Sequence, residues 1–260
     1  VWLRYIVRAG EFSHSGAEVA NLLNPRSSWL RNLVGQLMCE TREIFDFAAH
    51  HPMREMRKLA LAETITYIRE NMSTAMGAYT KRQFLDIALK RVNIDGHYVE
   101  FGVYTGESIG FIASRVSDKV IIGFDSFEGL PEDWPGREVK GTFSLEGKLP
   151  KVPHNVKLEP GWFDLSLPRW LEANPGPMAF IHVDCDLYSS TKTVLDFIAS
   201  RIVPGTVIAF DEYFNYPHWQ HHEFRAFQEY VEESKVGYEY LAYGATQAAV
   251  RITDGHARQM

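Results

Sequence analysis

Cysteine is scarce in this chain. Among 260 residues there are two, Cys39 and Cys185, too few for a disulfide framework. Cys185 falls in an apolar, strand-like run, so a reduced, buried thiol and a reducing, cytoplasmic setting are expected. Long apolar runs are missing as well. None reaches the ~18 residues that mark a membrane span. The opening VWLRYIVRAG is basic and partly apolar, but no small-residue cleavage site follows it, and no signal peptide is expected. Positive charge is in deficit, with 27 Lys and Arg against 33 Asp and Glu and a net charge of -6. This excludes a general nucleic-acid surface and a polybasic membrane patch. Repeats and low-complexity stretches are absent. What remains is globular: 45% hydrophobic, 13% aromatic and 23% charged residues, which excludes a disordered chain, a collagen and a coiled-coil rod.

The pattern changes near Tyr98. Before it, apolar residues recur at helical spacing: Val19, Leu22 and Leu23, then Leu30, Leu33, Val34, Leu37 and Met38, then Ile44, Phe45 and Ala48. Asn24-Pro25 and His51-Pro52 break these runs. Residues 55–70 and 81–92 continue in the same manner. A helical N-terminal extension or lid over 1–95 is therefore expected. The stripe Trp29, Leu30, Leu33, Leu37 and Met38 must be covered, by the following domain or by a second copy, and a homodimer is the default.

After Asp95-Gly96 short apolar strands alternate with helices. The strands read as 97–103, 119–125, 155–160, 178–184 and 205–212. Helices follow at 106–116, 165–171, 189–202 and 222–233. Such alternation marks a parallel sheet covered on both faces. The last two strands, YEYLAYG and TQAAVRI, leave no room for a crossover helix and must form an antiparallel hairpin. The expectation is an α/β fold with a mostly parallel seven-stranded Rossmann-like sheet ending in that hairpin, over 96–260. The intervening segment 126–154 is long and rich in Gly and Pro, as functional loops are.

Ligands of open parallel sheets bind beyond the carboxyl ends of the strands. The first strand ends in Glu100-Phe101-Gly102-Val103-Tyr104-Thr105-Gly106-Glu107-Ser108. The spacing E-x-G-x-x-x-G lacks the glycines of a dinucleotide fingerprint. Its acidic residue suits a ligand with a positive charge, such as the ammonium of S-adenosylmethionine. The second strand ends in Asp125, placed to meet a ribose diol or to serve as a turn aspartate. Trp162 and Phe163, at the third strand's end, either flank an adenine or belong to the core. The fourth and fifth strands end in His182-Val183-Asp184-Cys185-Asp186 and Asp211-Glu212. Four carboxylates at one rim repel unless a cation compensates them, and oxygen-only ligands suit Mg²⁺. His182 reads as a core histidine on the strand's other face.

EFGVYTGES, GFDSFEGLPEDW, HVDCDLYSST and FDEYFNYPHW, in this order, resemble the macrocin O-methyltransferase (TylF-like) family of class I methyltransferases. The resemblance runs from about residue 70 to 252. It implies methylation of a sugar or polyketide hydroxyl with S-adenosylmethionine and Mg²⁺. It places cofactor contacts on Glu100, Gly102, Thr105, Gly106, Ser108, Asp125 and Ser126, metal ligands on Asp184, Asp211 and Glu212, and the base on Asp186. The family often carries Asp-Asp where this chain has Asp211-Glu212, and the helical stretch before about residue 55 has no counterpart. Two other readings compete. Asp184-Cys185-Asp186 also forms the D-x-D of metal-dependent glycosyltransferases, and a non-catalytic scaffold would use the helical half for protein contacts. The intact carboxylates argue against a scaffold.

Overall fold

A computed structural model describes residues 51–254. The apolar stripes between Val19 and Ala48, the basic opening and Cys39 lie outside the described residues. From Met56 onward the chain forms one compact unit, so residues 56–95, which the sequence assigns to the extension, share that unit with the sheet. Among the described residues no helix is long and apolar enough to cross a membrane.

The elements run α1 (Pro52–Asn71), β1 (Met76–Gly77), α2 (Lys81–Leu89), β2 (His97–Phe101), α3 (Glu107–Arg115), β3 (Ile121–Asp125), β4 (Val156–Pro160), α4 (Phe163–Ala173), β5 (Met178–Val183), α5 (Tyr188–Ile198), β6 (Val207–Phe210), α6 (Glu223–Ser234), β7 (Gly237–Tyr243) and β8 (Ala248–Thr253). They build one sheet in the order β1-β7-β8-β6-β5-β2-β3-β4. All neighbours pair in parallel except β8, which runs antiparallel to both β6 and β7. The terminal hairpin is therefore present, with β8 inserted between β6 and β7. An eighth strand, β1, joins the edge through two residues, Met76 and Gly77, paired with Ala242 and Tyr243. Two residues carry no readable periodicity, which is why the sequence shows seven strands.

Alternation along the strands sends side chains to two cores. Val99, Phe101, Ile122, Phe124, Ile181 and Val183 face one layer. Tyr98, Ile121, Phe180 and Val207 face the other, with Phe84, Leu85 and Ala88 of α2 and Ile109 and Ile112 of α3. β5 is buried along its whole length, as a central parallel strand must be. On the opposite layer Tyr67 ties α1 to the sheet, its hydroxyl 2.6 Å from that of Tyr240, which lies 2.7 Å from the Tyr213 hydroxyl.

The ends of β2, β3, β5 and β6 align in register, since Phe101 pairs with Phe124 and Val183, and Val183 with Phe210. Backbone bonds continue past the strands: Asp184 N–H donates to Phe101 O at 2.8 Å, and Asp211 N–H to Val183 O at 2.9 Å. This brings the turns after β2 and β3 and the carboxylates after β5 and β6 to one rim.

Candidate functional site

A cavity of about 470 Å³ opens at that rim, within the range of small-molecule sites. One end is the β2–α3 turn. Gly102 there has φ +91°, and a Cβ on it would sit 1.8 Å from the carbonyl oxygen of Asp184. Only glycine allows this backbone to pass so close to the β5 end. Gly106 caps α3 at φ +84°; it is not part of the cavity wall, whereas Gly102, Thr105 and Ser108 are. Glu100 lies beneath the turn, wholly buried. It accepts a 2.5 Å hydrogen bond from Ser108 Oγ, and its other carboxylate oxygen has no partner. It thus supports the wall from behind.

Asp125 and Ser126 line the same end. Asp125 Oδ2 accepts from the N–H groups of Val103 and Tyr104 at 2.7 and 2.8 Å, and Oδ1 from Phe127 N–H at 2.7 Å. The turn role is therefore built. A carboxylate has about four acceptor positions, and three are engaged, which leaves one for a ligand hydroxyl. Trp162 and Phe163 both face the cavity. Phe163 also meets the core edge-on at Phe101, with ring centres 5.7 Å apart, so its wall and core roles coexist. The long 126–154 segment is folded back on itself by Leu130–Thr142 and Phe127–Leu145 backbone bonds. It walls the cavity with Gly129, Leu130, Pro131 and Phe143. Trp134 is turned inward and packs edge-on against Tyr216 and His222.

The other end is acidic. Asp184, Asp186 and Glu212 line it, and Asp211 sits behind, 7% exposed. β5 has ended by Asp184, and Asp186 takes φ +66°, a left-handed conformation that Asp tolerates better than most residues. This turn is what lets Asp184 and Asp186 face the same cavity. Oxygens of Asp184, Asp211 and Glu212 lie within 4.8 Å of one another. Glu212 N–H donates to Glu223 Oε2 at 3.1 Å, and Glu212 Oε2 and Glu223 Oε1 are buried without partners. Such a concentration of buried acid raises pKa values. Burial and the Asp211 charge push Asp184 up to about 6. Burial, reinforced by the Asp184 charge, pushes Asp186 well above the carboxylate range. Burial and neighbouring carboxylates do the same to Glu212 and Glu223.

Two cations enter this rim from elsewhere in the chain. Lys81 Nζ lies 2.8 Å from Asp184 Oδ2 and 3.0 Å from Asp211 Oδ2. Burial pulls its pKa down, but the two carboxylates outweigh burial and hold it above the ordinary value. Arg137 lies 3.8 Å from Glu212 Oε1, its guanidinium carbon 4.0 Å from the Trp134 ring centre and 4.7 Å from that of Tyr216. Neither residue is marked in the sequence, because nothing local to Thr80-Lys81-Arg82 or Gly136-Arg137 foretells a partner so far along the chain. Glu223 and Gln247, whose Nε2 donates to Asp211 Oδ1 at 3.3 Å, are hidden for the same reason.

His182 differs from its sequence reading. It is buried, but it faces Glu100 and Asp184, not the opposite side, with Nδ1 3.5 Å from Glu100 Oε1. Neither ring nitrogen has a hydrogen-bond partner, so it is not a satisfied core histidine. Alternation along β5 carries the reason: residues 182 and 184 are two apart and share a face. Cys185 is buried and free, as expected.

Residues 99–213 match the model of a family described as a methyltransferase domain. Over 146 residues the chain is 30% identical to 8-demethyl-8-(2,3-dimethoxy-alpha-L-rhamnosyl)-tetracenomycin-C 4'-O-methyltransferase of Streptomyces olivaceus, covering 46% of this chain and 54% of that one. The chain thus spans about half the length of this curated relative. Among solved structures, the calicheamicin methyltransferase CalS11 superposes with a TM-score of 0.55 at 22% identity, over 81% of this chain and 90% of that one. The fold is that of a class I methyltransferase.

Proposed function

We propose that the protein is an S-adenosylmethionine-dependent O-methyltransferase that acts on a hydroxyl of a sugar-bearing natural product, with a TylF-like arrangement of cofactor and carboxylates. One observation carries this reading. A single cavity joins a glycine turn and a ribose-competent carboxylate at one end to a cluster of acids at the other. The similarity to a rhamnosyl O-methyltransferase supports the acceptor class.

In this reading the methionine part of the cofactor lies along the Gly102–Ser108 turn. Gly102 and Gly106 shape the turn, Glu100 holds it through Ser108, and the free N–H groups of α3 face the cofactor carboxylate. Thr105 and Ser126 offer hydroxyls, Asp125 accepts from the ribose, and Trp162 and Phe163 flank the adenine. Methyl transfer is an in-line displacement at the sulfonium carbon, and an acceptor hydroxyl attacks well only as it loses its proton. Asp186 is the base. Burial and the Asp184 charge raise its pKa, which strengthens it as a proton acceptor. Leu130, Pro131 and Phe143 exclude water from the transfer.

The acidic end fits a divalent cation. Asp184, Asp211 and Glu212 are hard oxygen donors, and Glu212 Oε2 is buried without a partner. These three would hold Mg²⁺, which when bound supplies Lewis-acid polarisation of the acceptor oxygen. The N-terminal residues 1–95 act as lid and assembly segment, and residues 96–260 as the catalytic domain. Lys81, Arg82 and Leu85 of that segment line the cavity. A cytoplasmic homodimer completes the proposal, with no nucleic-acid or membrane partner.

The test is incubation with S-adenosylmethionine and an extract of the source cell, followed by mass spectrometry. A small molecule that gains one methyl group supports the reading. A melting temperature raised by a nucleotide sugar and unmoved by S-adenosylmethionine would favour the D-x-D glycosyltransferase instead.

A further inference from the structure

The rim of the cavity already contains a cation of its own. Asp184 Oδ2 and Asp211 Oδ2 converge on the ammonium of Lys81 at 2.8 and 3.0 Å. Both belong to the set that would hold a divalent ion. An ammonium and a divalent cation compete for those oxygens, because like charges a few ångströms apart repel strongly in a partly buried site. Lys81 is also fixed from its own side. It is the first residue of α2, whose start is capped by Thr80 accepting from Gln83 N–H. The preceding strand β1 is paired to β7 at the sheet edge. Secondary structure thus fixes the point from which the Lys81 side chain reaches the rim.

We propose that Lys81 is a built-in counter-ion that competes with a divalent cation for Asp184 and Asp211, so that metal entry requires the Lys81 ammonium to leave the rim. The inference rests on reading Asp184, Asp211 and Glu212 as the cation site of the proposed methyltransferase. It explains how buried carboxylates coexist before a metal arrives. It also links metal binding to the start of α2, since Lys81, Arg82 and Leu85 form part of the cavity wall.

The experiment is a titration of metal-free protein with Mn²⁺, with free Mn²⁺ followed by electron paramagnetic resonance. Lys81→Met should bind Mn²⁺ at least ~10-fold more tightly than wild type, because one competing charge is gone. Lys81→Arg keeps the charge and should stay within about threefold of wild type. Equal or weaker binding by Lys81→Met, or no binding by either protein, would overturn the proposal. A second measurement on wild type covers the case in which the variant does not fold. Acetylation of Lys81, read by mass spectrometry, should rise when Mn²⁺ is bound. Bound Mn²⁺ with unchanged Lys81 labelling contradicts the competition. Calorimetry with S-adenosylhomocysteine on the same wild-type sample separates this outcome from failure of the methyltransferase reading, which would appear as absent cofactor binding whatever the Mn²⁺ result.

Discussion

The two ends of the cavity are built on opposite principles. At the β2–β3 end, polar groups answer one another locally: Asp125 accepts from three backbone N–H groups, and Ser108 Oγ donates to Glu100. At the β5–β6 end, acids crowd faster than donors. Asp184, Asp186, Asp211, Glu212 and Glu223 meet there, and their counter-charges, Lys81 and Arg137, come from a distant helix and a distant loop. The first end suits a ligand that docks on a preformed surface. The second stores electrostatic stress that a cation or a proton relieves, and stress of this kind is what raises the pKa of a general base. The proposed function gives cofactor binding to the first end and proton transfer to the second.

The contrast breaks most visibly at Asp186. Asp186→Asn should lower kcat by about 10²–10⁴, the usual range for a general base, while cofactor affinity stays near wild type. The wild-type rate should rise with pH as the elevated Asp186 carboxyl ionises, and the variant should lose that rise. A pH–rate profile with the same slope in both proteins removes Asp186 from the role.

Gly102→Ala tests the seam between the ends. Its Cβ would meet the Asp184 carbonyl at 1.8 Å, so a loss of roughly 3 kcal/mol or more in urea unfolding is expected. Gly141→Ala, also at positive φ but with nothing within 4 Å, should lose only about 1 kcal/mol. Similar losses at both positions would mean that the turn is less tightly constrained than its geometry shows.

Much of this was legible in the sequence, and for physical reasons. Buried parallel strands are continuous apolar runs, so HYVEF, IIGFD, MAFIHV and VIAF announce themselves. Their polar end residues then place Asp125, Asp184 and Asp211 at one rim, because parallel strands end on the same side. Gly102 was visible as a residue that suits close approach. Lys81, Arg137, Glu223 and Gln247 were not visible, because their partners are set by tertiary packing and not by local pattern. The face of His182 differs from the expectation, although period-2 alternation puts it with Asp184. β1 is too short for any periodicity to show.

Glu223→Gln sharpens the acidic side. Burial raises the Glu223 pKa far above that of the unfolded chain. The neutral acid's contribution is therefore complete below the unfolded pKa and is lost as pH rises toward the folded one. The amide keeps an oxygen to accept Glu212 N–H and has no charge to bury. It should stabilise the protein by on the order of 1–3 kcal/mol at pH 8 and by much less at pH 5. Thermal melts at the two pH values check this, and an equal effect at both would show that Glu223 is ionised in the folded state. On the cofactor side, Asp125→Ala should weaken S-adenosylhomocysteine binding by ~1–3 kcal/mol, the range for a charged acceptor. Calorimetry showing no change would leave Asp125 as a turn residue alone.

The division of the cavity into a preformed cofactor end and a charge-stressed reaction end is tested most directly by one calorimetric comparison. S-adenosylhomocysteine is titrated into EDTA-treated wild type and into EDTA-treated Asp211→Asn. Binding to both is expected, with affinities within about threefold of each other, because Asp211 sits behind the acidic end and does not line the cavity. Loss of binding in the variant, or no binding to the metal-free wild type, would contradict it.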